Sequence, residues 1–199
     1  MAGARFAMER RHVLIADEPG LGKTIQSIGA VIGSKTSGTI LVVAPKTAAY
    51  VTWPAELKRW LGDIYPDDIV RNIGSKLDKR QRLRVVRNII DWHYDHEGPQ
   101  EFPARQWIIM SPNYLRFTIE VDSNNNYVYD SNGDKIIKAV REAIKPLLAL
   151  EYAAIIVDEC HQTLAGATGN IKKQSAQSRG LRLLETREDG LRIALSGTP

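Results

Sequence analysis

VLIADEPGLGKT, Val13 to Thr24, sets a short apolar run directly ahead of a glycine-bearing loop that closes on Gly22-Lys23-Thr24. A loop of this kind wraps phosphate. Its glycines let backbone N–H groups approach the oxygens, its lysine brings a cation to the terminal phosphates, and its threonine hydroxyl can ligate Mg²⁺. The helix expected from Thr24 adds the positive end of its dipole. The strict pattern GxxxxGK[ST] has Gly where this chain has Asp17. GKT alone is a weak signal. Two others raise it: DECH at Asp158 to His161, and SGTP at Ser196 to Pro199.

Outward from this loop, apolar runs alternate with helix patterns. His12 to Asp17 reads as a buried strand, Thr24 to Ser34 as a helix, and Thr39 to Pro45 as a second strand stopped by its proline. Thr47 to Leu61 reads as helical, with a break near Pro54 and Trp53, Leu57, Trp60 and Leu61 on an apolar face. Ile69 to Gly74 is a short strand. Lys76 to Tyr94 is an amphipathic helix, with Leu83, Val86, Ile89, Ile90 and Tyr94 at helical spacing. Gln106 to Ser111 is a strand, Asp134 to Leu150 a helix interrupted by Pro146, and Ala153 to Glu159 the clearest buried strand. Ser175 to Thr186 reads as a helix and Leu191 to Gly197 as the last strand. Strands alternating with helices predict an α/β domain with a mostly parallel sheet flanked by helices. Phe117 to Ile136, rich in Asn, reads as an inserted hairpin. Asp122, Asn124 and Asn126 resemble a calcium loop only faintly, because Tyr127 and Gly133 occupy positions that need glycine and an acid.

Composition sets the bounds. The 199 residues fit one domain, expected over 1–199 with the insertion at about 117–136. Hydrophobic content of 43% and charged content of 25% are those of an ordinary globular chain. The net charge of +4 leans toward a polyanionic partner, though a basic surface kept for solubility accounts for it equally. Cys160 is the single cysteine, so no internal disulfide forms and a reducing compartment is compatible. No apolar run approaches the ~18 residues of a membrane span. Charges through Met1 to Arg11 argue against a secretory leader, so the expected location is intracellular, cytoplasmic or nuclear.

Asp158 and Glu159 follow the run IIV. Ligands bind at the C-terminal ends of strands in open α/β sheets. Two adjacent carboxylates there divide the work: Asp158 can hold Mg²⁺, and Glu159 can orient and deprotonate an attacking water. In isolation they would read as two solvated acids. With Lys23-Thr24 upstream on a similar strand, the functional reading prevails.

The motifs together resemble superfamily-2 helicases, and the Swi/Snf-type ATPases in particular. DEPGLGKTIQSI is similar to motif I, usually DEMGLGKTIQ; many members lack the first Walker glycine, as here at Asp17. LVVAPKTAAYVTWPAELKRW, Leu41 to Trp60, resembles motif Ia with its trailing helix. Ile108 to Arg116 resembles the segment usually written ITTYE. IIVDECH resembles motif II and ALSGTP motif III. They stand in family order over nearly the whole chain. HVLIADEPGLGKTIQ resembles compact DNA-repair or annealing-type members, and bacterial or viral ones, more than large chromatin remodelers.

The resemblance implies a RecA-like P-loop NTPase lobe that uses ATP and Mg²⁺. It implies that Gly20, Leu21, Gly22, Lys23 and Thr24 cradle the phosphates, with Thr24 and Asp158 on the metal and Lys23, Asp158 and Glu159 in the chemistry. His161, Ser196 and Thr198 would couple nucleotide state to the nucleic-acid site, and Pro45, Lys46, Ser111 and Asn113 would lie along one strand's phosphates. The implied partner is DNA, gripped through its backbone without sequence preference. There are two departures. The Gln-bearing segment that reads adenine has no match in GARFAMERRHV, and the text stops at Pro199, just after motif III, so a second RecA-like lobe is expected in cis or in trans.

The competing readings are a non-hydrolysing module that assembles with a separate second lobe, and a small-molecule kinase, which leaves DECH and SGTP without a task. Cys160 reads as a packing residue, and His93 and His96 as surface histidines rather than metal ligands. Lys79, Arg80, Arg82, Arg84 and Arg87 read as the solvated face of a helix. Lys172, Lys173 and Arg179 read equally as a DNA contact or a plain loop. Trp53 and Trp60 read as core.

Overall fold

Alternation inside the apolar runs explains the architecture. In β2 (Gly38–Val43), Ile40 and Val42 join one buried cluster and Leu41 and Val43 the other, so the strand is covered on both faces. The computed structural model describes residues 2–74, 76–96, 104–124, 126–133, 136–139, 142–164 and 175–197. The remaining strands of the main sheet are β1 (His12–Ile15), β3 (Ile69–Ile73), β4 (Arg105–Met110), β7 (Glu151–Val157) and β8 (Glu185–Leu195). They run in the order β1-β8-β7-β2-β4-β3, and every pairing is parallel. This is the RecA-like α/β arrangement.

One face carries α1 (Ala2–Arg10), α2 (Lys23–Gly33) and α3 (Trp53–Leu61). Ala4, Ala7, Ile28, Val31, Trp53 and Leu57 pack there on Trp107, Ile156 and Ile193. The other face carries α4 (Lys79–Asp95), a 3₁₀ turn at Glu142–Ala149 and α6 (Ala176–Arg182), which cover Leu41, Ile108, Ile155 and Val157. The start of α4 is fixed by a capping box. Asp78 accepts from Gln81 N at 2.8 Å, and the Gln81 side chain accepts from Asp78 N at 2.9 Å.

Several expectations need correction. Among the described residues of 134–150, none is in an α-helix. Ile137–Ala139 is a strand, β6, antiparallel to β5 (Phe117–Ile119), and only the 3₁₀ turn follows, with Pro146 inside it. Pro146 has no N–H to continue an α-helix. The ladder that closes the segment expected to be an insertion reaches Ala139, while Phe117 is buried in the second core cluster. The expected helix Ser175 to Thr186 ends at Arg182, and the polar run from Glu185 is the first part of β8.

Side chains are corrected too. Trp60 is 39% exposed and donates its indole N–H to Glu56 at 2.7 Å, so α3 buries Trp53, Leu57 and Leu61 instead. Leu83 and Tyr94 are exposed, while Val86, Ile89, Trp92 and His93 form the buried face of α4. His93 is only 9% exposed and its Nδ1 lies 2.8 Å from Thr39 Oγ1, so it is not a surface histidine. His96 stacks on Trp92 with ring centroids 4.1 Å apart. Among the described residues, no group of three or more His, Cys, Asp or Glu gathers as a metal site, and no helix is long and apolar enough to cross a membrane.

Candidate functional site

The parallel sheet delivers the singled-out motifs to one edge. Backbone bonds knit that edge: Ser196 N to Ile15 O at 3.1 Å, Asp158 N to Val43 O at 2.8 Å, and Ala44 N to Met110 O at 3.1 Å. The C-terminal ends of β1, β8, β7, β2 and β4 therefore stand side by side.

After β1 the chain turns through residues 16–22 and enters α2. Gly20 has φ 86° and Gly22 φ 71°, the left-handed region that side chains resist. A Cβ at Gly20 would meet no atom within 4 Å, so the loop leaves open space above its backbone. Leu21 is exposed beside it. Lys23 begins the helix and folds its ammonium back into the loop, donating to Asp17 O at 2.8 Å and Glu18 O at 3.0 Å. Gln26, one turn on, is nearly buried and clamps the loop, donating to Asp17 Oδ2 and Leu21 O at 3.0 Å each. Asp17 thus anchors the loop where a glycine was formally missing. Thr24 lies in the same first turn, and its carbonyl accepts from Ser27 Oγ at 2.8 Å.

Asp158 and Glu159 lie in the turn between β7 and the short helix α5 (Cys160–Thr163). Asp158 Oδ2 accepts the indole N–H of the fully buried Trp53 at 2.9 Å, and Oδ1 accepts Glu159 N at 3.0 Å. Burial pushes this carboxyl above its usual range; the Trp53 bond lowers it, the Glu159 charge raises it, and the Lys23 charge lowers it. The cation of the loop and the first carboxylate of the turn are therefore within electrostatic reach of each other. Glu159 sits at φ 47° and ψ 51°, a left-handed conformation that costs a non-glycine residue roughly 1–3 kcal/mol. Burial foremost raises the Cys160 thiol, and its side chain faces the core, as a packing residue should.

His161 joins this turn to the end of β8. Its Nδ1 lies 3.4 Å from Glu159 Oε2 and 3.2 Å from Ser196 Oγ. Gly197 closes on the loop: a Cβ there would fall 3.3 Å from Pro19 Cγ and 3.7 Å from Lys23 Nζ. Thr198 lies outside the described residues, as do Lys172 and Lys173.

The nucleic-acid candidates occupy the continuation of the edge past β2 and β4. Lys46 is exposed and Pro45 partly so, just ahead of a π-helical turn at Ala48–Thr52 that leads into Trp53. Asn113 is exposed in a 3₁₀ turn (Pro112–Leu115), and its Oδ1 accepts from Gln177 of α6 at 2.8 Å. Ser111 differs. It is 3% exposed and bonded to the Tyr50 hydroxyl, so its side chain braces the edge and does not face outward.

Chemically, the edge offers a lysine and left-handed glycines for phosphate, and for a divalent cation an aspartate after β7 and the Thr24 hydroxyl after β1, with β8 between them. It also holds a second carboxylate wired to an imidazole. One carboxylate and one hydroxyl suit Mg²⁺, which draws its other ligands from phosphate and water. Sequence reasoning missed Trp53 and Gln26 as members of the site. Trp53 carries an N–H that a buried indole must satisfy, and Gln26 is a polar residue among the buried positions of α2.

A family model described as "SNF2-related domain" matches residues 2–199. The human "DNA annealing helicase and endonuclease ZRANB3" is 38% identical over 80 residues, 40% of this chain and 7% of that protein. From Xenopus tropicalis, "SWI/SNF-related matrix-associated actin-dependent regulator of chromatin subfamily A-like protein 1" is 40% identical over 68 residues, 34% of this chain and 7% of that protein. The chain thus spans under a tenth of the length of these curated relatives. Among solved structures, the "Sulfolobus solfataricus SWI2/SNF2 ATPase core in complex with dsDNA" superposes on all of this chain and 31% of its own, with TM-score 0.57 and 16% identity, a likeness of fold.

Proposed function

This chain belongs to the SNF2-related domain family, and on that premise we propose that it is the ATP-binding lobe of a DNA-dependent ATPase that couples hydrolysis to movement on DNA. The observation that carries the proposal is the convergence at one sheet edge of Lys23, Asp158 and the Glu159–His161–Ser196 chain.

In this reading the ammonium of Lys23 leaves the carbonyls of Asp17 and Glu18 for the β- and γ-phosphates. The backbone around Gly20, Leu21 and Gly22 and the first N–H groups of α2 bind the remaining oxygens. Thr24 and Asp158 would hold Mg²⁺, which when bound neutralises phosphate charge. The raised carboxyl of Asp158 fits this role, because a buried anion without a full cationic partner gains from a cation placed beside it. Glu159 takes the proton of the attacking water. His161 senses its state through Nδ1 and passes it to Ser196. Trp53 acts as a positioning residue: its N–H fixes Asp158, while the π-helical turn Ala48–Thr52 connects its helix to Pro45 and Lys46.

Pro45, Lys46 and Asn113 would meet one DNA strand through its phosphates, which suits a motor that moves along any sequence. A second RecA-like lobe, in cis or in trans, would close the site from the other side and supply the arginine that phosphoryl transfer uses, worth about 10³–10⁵ in turnover.

The test is phosphate release by the chain with a second RecA-like lobe and saturating duplex DNA. Turnover that rises with DNA and vanishes in Glu159→Gln, with nucleotide binding retained, is the expected result. Binding without any turnover would overturn the hydrolytic role in favour of a non-hydrolysing module.

A further inference from the structure

Helix α4 carries two parallel stripes, the second on its outer side and the first bordering its buried face at Val86. Lys79, Leu83, Val86 and Ile90 form one, and Arg80, Arg84, Arg87 and Asp91 the other. Spacings of three and four residues keep each set in line along the helix. Ala143 and Pro146 of the neighbouring 3₁₀ turn face them across a groove of about 750 Å³. The groove floor is apolar: Leu83 is 48% exposed within it, beside Val86 and Ile90. Its border is cationic. Lys79, Arg80, Arg84 and Arg87 are exposed, and none pairs with a carboxylate among the described residues. Arg82 lies off these stripes, bonded to Leu77 O at 2.7 Å and set over the Tyr114 ring.

We propose that this groove binds an acidic amphipathic helix of a partner protein. Such a helix satisfies both stripes at once: apolar side chains at every third or fourth position fill the floor, and carboxylates one position over meet Arg80, Arg84 and Arg87. Four like charges along one helix repel each other until an acidic partner arrives, which makes the surface selective for it. Nucleic acid fits less well, because phosphates engage the cations but leave the exposed Leu83 and Pro146 without an apolar partner. The run from Lys79 to Asp91 rises about 18 Å, or little more than three turns, the length of a short docking helix. Asp91 ends the cationic stripe, so it sets direction: the partner's acidic end lies toward Arg80.

The probe is a synthetic helix of about 16 residues, with Leu at i, i+4, i+7 and i+11 and Glu at the flanking positions. Its controls are a twin with Lys for Glu and a random-sequence duplex. Fluorescence anisotropy with the whole chain should give low-micromolar binding of the acidic helix, at least about tenfold tighter than the Lys twin. Arg84→Glu with Arg87→Glu, and separately Leu83→Asp, should each weaken it about tenfold. Both changes lie at exposed positions, and unchanged melting temperature and nucleotide affinity confirm that the fold persists. Failure of the acidic helix to bind, or binding indifferent to both variants, overturns the proposal. Loss of duplex binding alone in the charge-reversed variant would assign the stripe to nucleic acid instead.

Discussion

The two halves of the sheet's C-terminal edge are held in opposite ways. On the side of β1, β8 and β7, the loop keeps open space: Gly20 needs its positive φ, yet a Cβ there would touch nothing. Polar links from Gln26, Trp53 and His161 hold the parts in place. On the side of β2 and β4, the turn bearing Asn113 is locked by packing. Gly180 of α6 lies so close that a Cβ would come within 1.8 Å of Leu115 O. The first half is held by these links yet leaves room above its backbone at Gly20, as the proposed nucleotide cradle requires. The other half is rigid beneath and presents only side-chain tips. Beside the backbone bond from Asp158 N to Val43 O, Trp53 adds a side-chain bond between the halves, from its indole to the Asp158 carboxylate.

The largest effect expected from breaking this contrast is at Gly180. Gly180→Ala forces a methyl into a backbone carbonyl and should cost about 3 kcal/mol or more, read as a drop in the denaturation midpoint. A midpoint within error of the parent would mean that the two halves do not differ in packing. Next is the bridge. Trp53→Phe keeps an aromatic ring and removes the N–H. A hydrogen bond to a charged group is worth roughly 1.5–3 kcal/mol, so the Mg²⁺-dependent part of nucleotide affinity should fall about tenfold or more, with metal-free affinity unchanged. An unaltered Mg²⁺ increment would remove Trp53 from the site.

On the outer half, Lys46→Glu should weaken duplex binding about tenfold at low salt and flatten its salt dependence by nearly one phosphate contact, roughly 0.9 in log–log slope. Nucleotide affinity measured without DNA should not move; if it does, the halves are not separable. The smallest effect is a gain. Asp158 has a raised pKa in the fold, so the folded chain holds its proton to higher pH than the unfolded chain. Stability contributed by this group is complete below the unfolded carboxyl pKa and is lost as pH rises through the folded one. Relative to Asp158→Asn, which cannot titrate and offers only one oxygen to the N–H donors of Trp53 and Glu159, the parent's metal-free melting temperature should gain a few degrees as pH falls from neutral through that range. The same pH dependence in both chains would show that Asp158 is not the titrating group.

Much of this contrast was legible in the text. Runs such as LVVA and AAIIV, short and rich in β-branched residues, read as buried strands, and GLGKT, DECH and SGTP fell where strands end. What periodicity could not resolve was which polar residues the fold would cover. His93 follows Ile89 by four and Val86 by seven on the buried stripe of α4, a position readable as interior, yet its partner Thr39 is 54 residues away. Residues 134–150 read as a helix because their apolar spacing is ambiguous, and only the long-range ladder from Phe117 to Ala139 makes Ile137–Ala139 a strand. Glu185 to Gly190 is polar because β8 begins well before it meets β1, whose first pairing is His12 with Arg192. The charge-bearing site was visible from local motifs; its Trp53 bridge spans 105 residues and was not.

Calorimetric titration with ADP tests most directly whether this edge is the proposed Mg²⁺-nucleotide cradle. One site per chain is expected, strengthened by Mg²⁺, weakened at least about a hundredfold by Lys23→Ala, and deprived of its Mg²⁺ dependence by Asp158→Ala. Nucleotide binding of parental affinity in Lys23→Ala, or none in the parent, would contradict the account.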